Sequence, residues 1–235
     1  MKEFIKNFTT TTNDYDVYGR LKPTSITNLA QDVAGIHSTL LGLGYEKLYA
    51  QGEIFLLIRN KFKILKPLKN IKDVTIKTRP LKNELFNLPR IYDFYYKDEL
   101  FIQGESIWML YDFNKKEIVT NIQGVLKDIE KINHERFRKI PTFEFNKDTY
   151  YRDFIVSKSY LDMNMHFNNT KAFDIFIDSF DLKEEDIISE FEIEYHKQSY
   201  LNDLLSIYRY KEGNICHMGV YKDNELKFYL KVKIN

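Results

Sequence analysis

A single cysteine, Cys216, occurs in 235 residues, so no internal disulfide can form and nothing points to an oxidising compartment. Excess charge of either sign is also missing. The 35 Lys and Arg stand against 34 Asp and Glu, which removes the electrostatic case for nucleic acid as a partner. No stretch approaches the ~20 consecutive apolar residues of a membrane span. Residues 1–12 lack the apolar centre and small-residue cleavage site of a secretory leader. A cytoplasmic protein is the expectation, and 43% hydrophobic residues supply the material for one large core or two modest ones.

Several chemical motifs are absent too. There is no Gly-rich phosphate loop and no Ser nucleophile elbow. The five histidines, His37, His134, His166, His196 and His217, show no paired spacing for a metal, and Cys216 reads as a small buried residue rather than a ligand. Asp162-x-Asn164-x-His166 fails as a calcium loop. Phe167 stands where that loop needs Gly, and Phe173 where it needs Glu.

What the sequence does contain is a repeat. Asp16-Val-Tyr-Gly-Arg20-Leu-Lys-Pro-Thr24 matches Asp162-Met-Asn-Met-His166-Phe-Asn-Asn-Thr170 in residue class at Asp, basic, apolar and Thr, at a constant offset of 146 (162 minus 16). A helical pattern follows each copy. In the first, Ile26, Leu29, Ala30, Val33, Ile36 and Leu40 recur at three- and four-residue steps and stop at Gly42 and Gly44; in the second, Ala172, Phe173, Phe176, Ile177 and Phe180 do the same. A Thr able to cap stands at the start of each helix.

Strand patterns come next in both halves: Phe62–Ile64 and Asp73–Ile76 are echoed by Phe191–Tyr195 and Asp203–Ile207. The internal Lys97-Asp-Glu-Leu100 reads as a hairpin turn, and Tyr96–Leu100 is echoed by Tyr221–Leu226. At the C-terminus Leu226, Phe228, Leu230, Val232 and Ile234 alternate with Lys227, Tyr229, Lys231 and Lys233, a strand with one buried face whose lysines would protect an exposed edge. The expected organisation is an α+β protein. Residues 1–120 and 147–235 form two helix-on-antiparallel-sheet units that pair edge to edge, and residues 121–146 form a charged connector with a short helix, ending near Pro141.

Asp162, Asn164 and His166 sit at alternate positions before the second helix, so in an extended loop a carboxylate, an amide and an imidazole project to one side. Asn168, Asn169 and Thr170 open that helix, whose first backbone N–H groups are free to hold a developing oxyanion. Asp, Asn and His are also ordinary turn and cap residues. The first copy carries Asp16, Tyr18 and Arg20 instead, so the amide and imidazole occur once, as when duplication leaves one functional site.

Asp162-Met-Asn164-Met-His166-Phe-Asn168-Asn169 opening a helix in the second of two related halves resembles the acyl-carrier-protein thioesterases of plants and bacteria, which have a double hot-dog fold. The likeness extends to Trp108 in Ser106–Asp112 and to Glu194-Tyr195-His-Lys-Gln198-Ser199, and so covers nearly the whole chain. It implies hydrolysis of a fatty acyl chain from the 4′-phosphopantetheine of acyl carrier protein, releasing free fatty acid with no cofactor and no metal. Asp162, Asn164 and His166 match the family's catalytic positions. Gln198 and Ser199 stand where plant members show Glu and Cys, and with Asn168 and Asn169 they are expected to position substrate.

Two mechanisms remain open at this level: Asp162 attacks or activates water with Asn164 and His166 orienting it, or His166 is the base and Asp162 its orienter. The apolar face formed by Ile26, Leu29, Val33 and Ile36 is expected to line the acyl pocket. The Asn-, Lys- and Ile-rich composition fits a bacterial source, and the expected state is a monomer with an internal pseudo-dimer, or a homodimer. A hydroxyacyl-thioester dehydratase and a non-catalytic acyl-binding module are the alternative functions.

Overall fold

Alternating apolar and polar residues produce strands throughout, and in the computed structural model, which describes residues 3–82, 85–120 and 136–235, these strands join one antiparallel sheet. The first half contributes β1 (Phe4–Thr9), β2 (Glu53–Ile64), β3 (Asp73–Pro80), β4 (Leu88–Tyr96), β5 (Glu99–Asp112) and the short β6 (Glu117–Ile118). The second contributes β7 (Tyr150–Ile155), β8 (Ile188–Tyr195), β9 (Leu204–Glu212), β10 (Ile215–Lys222) and β11 (Glu225–Ile234). The order β1-β3-β4-β5-β2 continues as β8-β11-β10-β9-β7, so the second half is the first in reverse, and β6 adds to β5.

The halves meet where β2 pairs with β8. Phe62 lies opposite Phe191, the residue that echoes it in the sequence, and their rings stack at 5.2 Å. The offset there is 129 (191 minus 62), down from 146 at the loops. The second half is shorter in between: α1 (Pro23–Leu40) has 18 residues and is followed by α2 (Tyr45–Ala50), whereas its counterpart α3 (Ala172–Ser179) has 8. The predicted hairpin at Lys97–Leu100 forms, and so does one at its echo. Lys97 and Asp98 join β4 to β5, and Asp223 and Asn224 join β10 to β11, each pair with positive φ, as a two-residue turn between twisted strands needs.

α1 and α3 share one face of the sheet. Ile26, Ala30, Val33, Phe173 and Phe176 form a single core with Phe62, Phe94, Phe191, Ile193, Leu230 and Val232. The helix starts differ from the sequence reading. Thr24 does not cap α1; Lys22 is the N-cap residue, because Pro23 takes the first helical position with its preset φ, and Thr24 Oγ1 instead donates to Asp174 Oδ1 of α3 at 2.6 Å. In the second half Asn168, not Thr170, caps the 3₁₀ turn Asn169–Lys171 that leads into α3.

The lysines of β11 also correct an expectation. β11 lies between β8 and β10, not at an edge, and Lys231 is fully buried. Its ammonium pairs with Glu192 (3.3 Å) and Glu194 (2.9 Å) and donates to Ile140 O at 3.2 Å. Glu192 also binds Arg59 Nε at 2.8 Å and accepts from Ile140 N at 2.7 Å. The outer face of the β2–β8 junction is thus a paired charge network covered by the end of the connector. Residues 136–146 cross it without helix; residues 121–135 of the connector, including His134, in which the expected short helix could otherwise fall, lie outside the described residues. Among the described residues, no helix is long and apolar enough to cross a membrane.

Candidate active site

The repeated loops fold alike, and their shape follows from Asp chemistry. Asp16 Oδ1 accepts from the backbone N–H groups of Tyr18 (2.9 Å) and Arg20 (2.8 Å). Asp162 Oδ1 accepts likewise from Asn164 (2.8 Å) and His166 (3.1 Å). Each Asp N–H also donates across the turn, to Arg20 O and His166 O, both at 2.8 Å. The second loop is therefore a tight turn, not the extended segment the spacing suggested. A local side-chain acceptor two and four residues before its donors outcompetes extension. The turn needs one left-handed residue, which is Gly19 (φ 77°) in the first copy and Met165 (φ 63°) in the second.

The copies differ in the second carboxylate oxygen. Asp16 Oδ2 takes Arg20 Nε at 2.9 Å. Asp162 Oδ2 has no hydrogen-bond partner among the described residues, because His166 replaces the arginine and its ring packs edge-on against Tyr200, with centroids 5.2 Å apart. The turn is tied to the β8–β9 connection by Phe167 N–H donating to Ser199 O at 2.8 Å.

Asp162, Asn164, His166, Asn169, Gln198 and Ser199 all line one cavity of about 1410 Å³ between the halves. Asn168 does not; its Oδ1 accepts from Thr170 N at 3.1 Å and holds the turn ahead of α3. That bond also removes Thr170 N–H from the expected oxyanion hole. The backbone N–H of Asn169, one residue earlier, remains without an acceptor among the described residues and sits at the cavity wall. Ser199 is 3% exposed, and its Oγ has no partner among the described residues. Gln198 is exposed and accepts from Tyr200 OH at 3.3 Å.

The acyl-pocket residues need correction. Ile26 and Val33 are fully buried in the core, Leu29 packs against it, and neither these nor Ile36 touches the cavity. The wall of α1 is the adjacent face, Gln31, Ala34, Gly35 and Ser38. An 18-residue helix lying on a sheet buries its most apolar stripe there, so the cavity takes the neighbouring face of smaller residues. The apolar end of the cavity is built by Leu48, Phe55, Leu57, Leu88 and Trp108, mostly from a satellite cluster separate from the main core.

Two tyrosines at this cavity carried no signal of a role in the sequence. Tyr195 OH donates to Asn169 O at 3.0 Å, and burial pushes its pKa up, so it stays a donor that fixes the α3 entrance. Tyr45 of α2 donates to Asn164 Oδ1 at 2.8 Å. The lone thiol is no rival centre: Cys216 on β10 is buried in the main core, away from the cavity, and burial pushes its pKa up to about 11.

Comparison with known proteins bears on this arrangement. The family described as the acyl-ACP thioesterase N-terminal domain matches residues 1–131. An acyl-ACP thioesterase from Bacteroides thetaiotaomicron is similar in structure with a TM-score of 0.90 at 20% identity, over 99% of this chain and 98% of that one. The 12:0-ACP thioesterase from Umbellularia californica gives a TM-score of 0.83 at 15% identity, over 99% and 97%. At these identities the likeness is one of fold, the double hot-dog. No curated protein matches the chain in sequence.

Proposed function

The chain belongs to the acyl-ACP thioesterase family and is a thioester hydrolase, and we propose that Asp162 is the carboxylate through which it cleaves fatty acyl-ACP. The observation that carries this reading is the unpartnered Asp162 Oδ2 at the wall of a cavity between the halves, in a turn whose other copy has that oxygen bound to Arg20. Oδ1 is fixed by two backbone N–H groups, so Oδ2 reaches the cavity without a further ordering cost.

The thioester carbonyl lies beside the α3 entrance, where Asn169 N–H and the Asn164 amide take the developing negative charge. Asp162 Oδ2 removes a proton from water as the water oxygen bonds to the carbonyl carbon. The tetrahedral intermediate then collapses, the C–S bond breaks, and the proton passes to the leaving sulfur of phosphopantetheine. Direct attack by Oδ2 on the carbonyl carbon, with the C–S bond breaking and the thiolate leaving, gives an acyl anhydride that water opens at the Asp162 carboxyl carbon, and it uses the same geometry. Single-turnover hydrolysis in H₂¹⁸O separates the two, since only direct attack puts label into Asp162. The reverse assignment, with His166 as base and Asp162 as its orienter, needs a side-chain contact between the two; the imidazole instead packs on Tyr200.

His166 and Gln198 position substrate in this reading, and Ser199 lines the substrate's place without a step of its own. Residues 1–120 wall the acyl chain, residues 147–235 carry the chemistry, and residues 121–146 connect them. The protein works in the cytoplasm, as a monomer with an internal pseudo-dimer or as a homodimer, on the acylated carrier protein. Incubation with acyl-ACPs and 3-hydroxyacyl-ACPs tests the reading: it requires free thiol and free fatty acid from the first, and an enoyl product from the second would contradict it.

A further inference from the structure

Each half sends the segment after its helix across to the other half's loop. In one direction Tyr18 OH donates to Leu182 O at 3.4 Å and Arg20 Nη1 to Glu184 O at 3.1 Å, both just beyond α3. In the other direction the contact comes from α2, just beyond α1, where Tyr45 OH donates to Asn164 Oδ1 at 2.8 Å. Tyr18 and Asn164 are equivalent positions, so the same tether occurs twice with its polarity reversed. In the first copy the loop side chain gives its only proton to the main chain. In the second copy it receives a proton and keeps both amide N–H groups.

We propose that Tyr45 is a positioning residue for the second half's site, holding the Asn164 amide in the orientation that presents N–H, not C=O, to the thioester. A free asparagine side chain turns about its last torsion, and the wrong orientation sets a carbonyl oxygen against the oxyanion. The Tyr45 hydroxyl ties the end of the side chain in place, and in the structure Oδ1 is the atom it holds, which leaves Nδ2–H₂ for the cavity. Tyr45 is itself held: its ring stacks on Tyr49 at 5.5 Å, and Tyr49 packs on Phe113 at 5.1 Å, an aromatic row anchored on the first half. The contact also makes the catalytic loop depend on both halves.

This inference rests on Asn164 acting on the substrate, and a double-mutant cycle separates the two claims. Steady-state kinetics on the acyl-ACP that the wild type hydrolyses fastest are measured for Tyr45→Phe, Asn164→Ala and the pair. Tyr45→Phe is expected to lower kcat roughly threefold to tenfold, the scale of one hydrogen bond, with KM within about twofold. On the Asn164→Ala background the same change is expected to have no further effect. Equal losses on both backgrounds, or an effect confined to KM, would overturn the positioning role of Tyr45. A fully active Asn164→Ala overturns the role of Asn164 itself, and the tether falls with it.

Discussion

Asp16 and Asp162 hold the same turn with the same oxygen and differ in the other: Asp16 Oδ2 is bound by Arg20 at 2.9 Å, and Asp162 Oδ2 is left to the cavity. The two turns share their Oδ1 hydrogen bonds, and the arginine of one copy, replaced by histidine in the other, holds the second oxygen in the first copy only. The turn-forming role of the Asp is common to both copies, and any chemical role of the free oxygen belongs to the proposal for Asp162 alone.

His166→Arg should rebuild the first-half ion pair in the second half. A guanidinium at position 166 can take Asp162 Oδ2 as Arg20 takes Asp16, so kcat is expected to fall at least about a hundredfold while thermal stability is kept or raised. A variant that keeps a third of wild-type kcat would show that Oδ2 is not the reacting atom.

Gly35 is the position from which acyl length can be changed. It faces the cavity from α1, and a Cβ placed there meets nothing within 4 Å. Gly35→Leu has room for its Cβ, projects its remaining carbons toward the cavity side of α1, and removes a helix-interior glycine, worth roughly 0.5–1 kcal/mol to the helix. The profile of released fatty acids should shift to shorter chains in a protein at least as stable as wild type; an unchanged profile would place the acyl chain elsewhere. Val33→Trp, by contrast, is expected to destabilise by about 1–3 kcal/mol or more through overpacking, because Val33 lies in the core.

The contrast between Gly35 and Val33 marks how far the sequence could be read. The repeat, the two long-range strand echoes, the hairpin turn at Lys97–Leu100 with its echo and the grouping of Asp162, Asn164 and His166 are local patterns, and local patterns survive without coordinates. Which face of α1 meets the sheet is legible from its apolar stripe, and Ile26 and Val33 do pack in the core with sheet residues; which face meets a cavity is a tertiary choice, and it falls to the neighbouring face of Gln31, Ala34, Gly35 and Ser38. The burial of Lys231 was hidden for the same reason: its partners Glu192 and Glu194 lie on another strand, and the cover comes from Ile140 in the connector. Tyr45 sits 119 residues from Asn164, with nothing nearby to suggest the contact.

Ser199 and Gln198 stand side by side but should respond differently. Ser199 Oγ is buried and unpartnered among the described residues, so Ser199→Ala removes no protein hydrogen bond and is expected to keep most activity in a fully folded protein. Gln198→Ala should lose about ten- to a hundredfold, the scale of a positioning group. An acyl group trapped on Ser199 would move the chemistry off Asp162.

Glu194 predicts acid sensitivity. Burial alone would raise its pKa, but the hydrogen bond and charge of Lys231, helped by Lys139, outweigh burial and hold the carboxyl below the usual range. A folded-state pKa below the unfolded value of roughly 4.3 gives stability that is complete above that pH and lost as pH falls through the folded pKa. Thermal unfolding should show Glu194→Gln less stable than wild type at neutral pH, with the gap closing as pH falls below the unfolded carboxyl value of roughly 4.3. A gap that stays constant across this range would remove Glu194 from the linkage.

The central claim is that one oxygen of Asp162 does the chemistry, and Asp162→Asn beside Asp16→Asn tests it most directly. Asn keeps an oxygen to accept from the turn's N–H groups but cannot take a proton from water or attack as a carboxylate. With acyl-ACP hydrolysis and circular dichroism measured on both, Asp162→Asn should lower kcat by at least roughly a thousandfold with the fold intact, while Asp16→Asn stays within about threefold of wild type. A folded Asp162→Asn retaining a tenth of wild-type kcat would contradict the account.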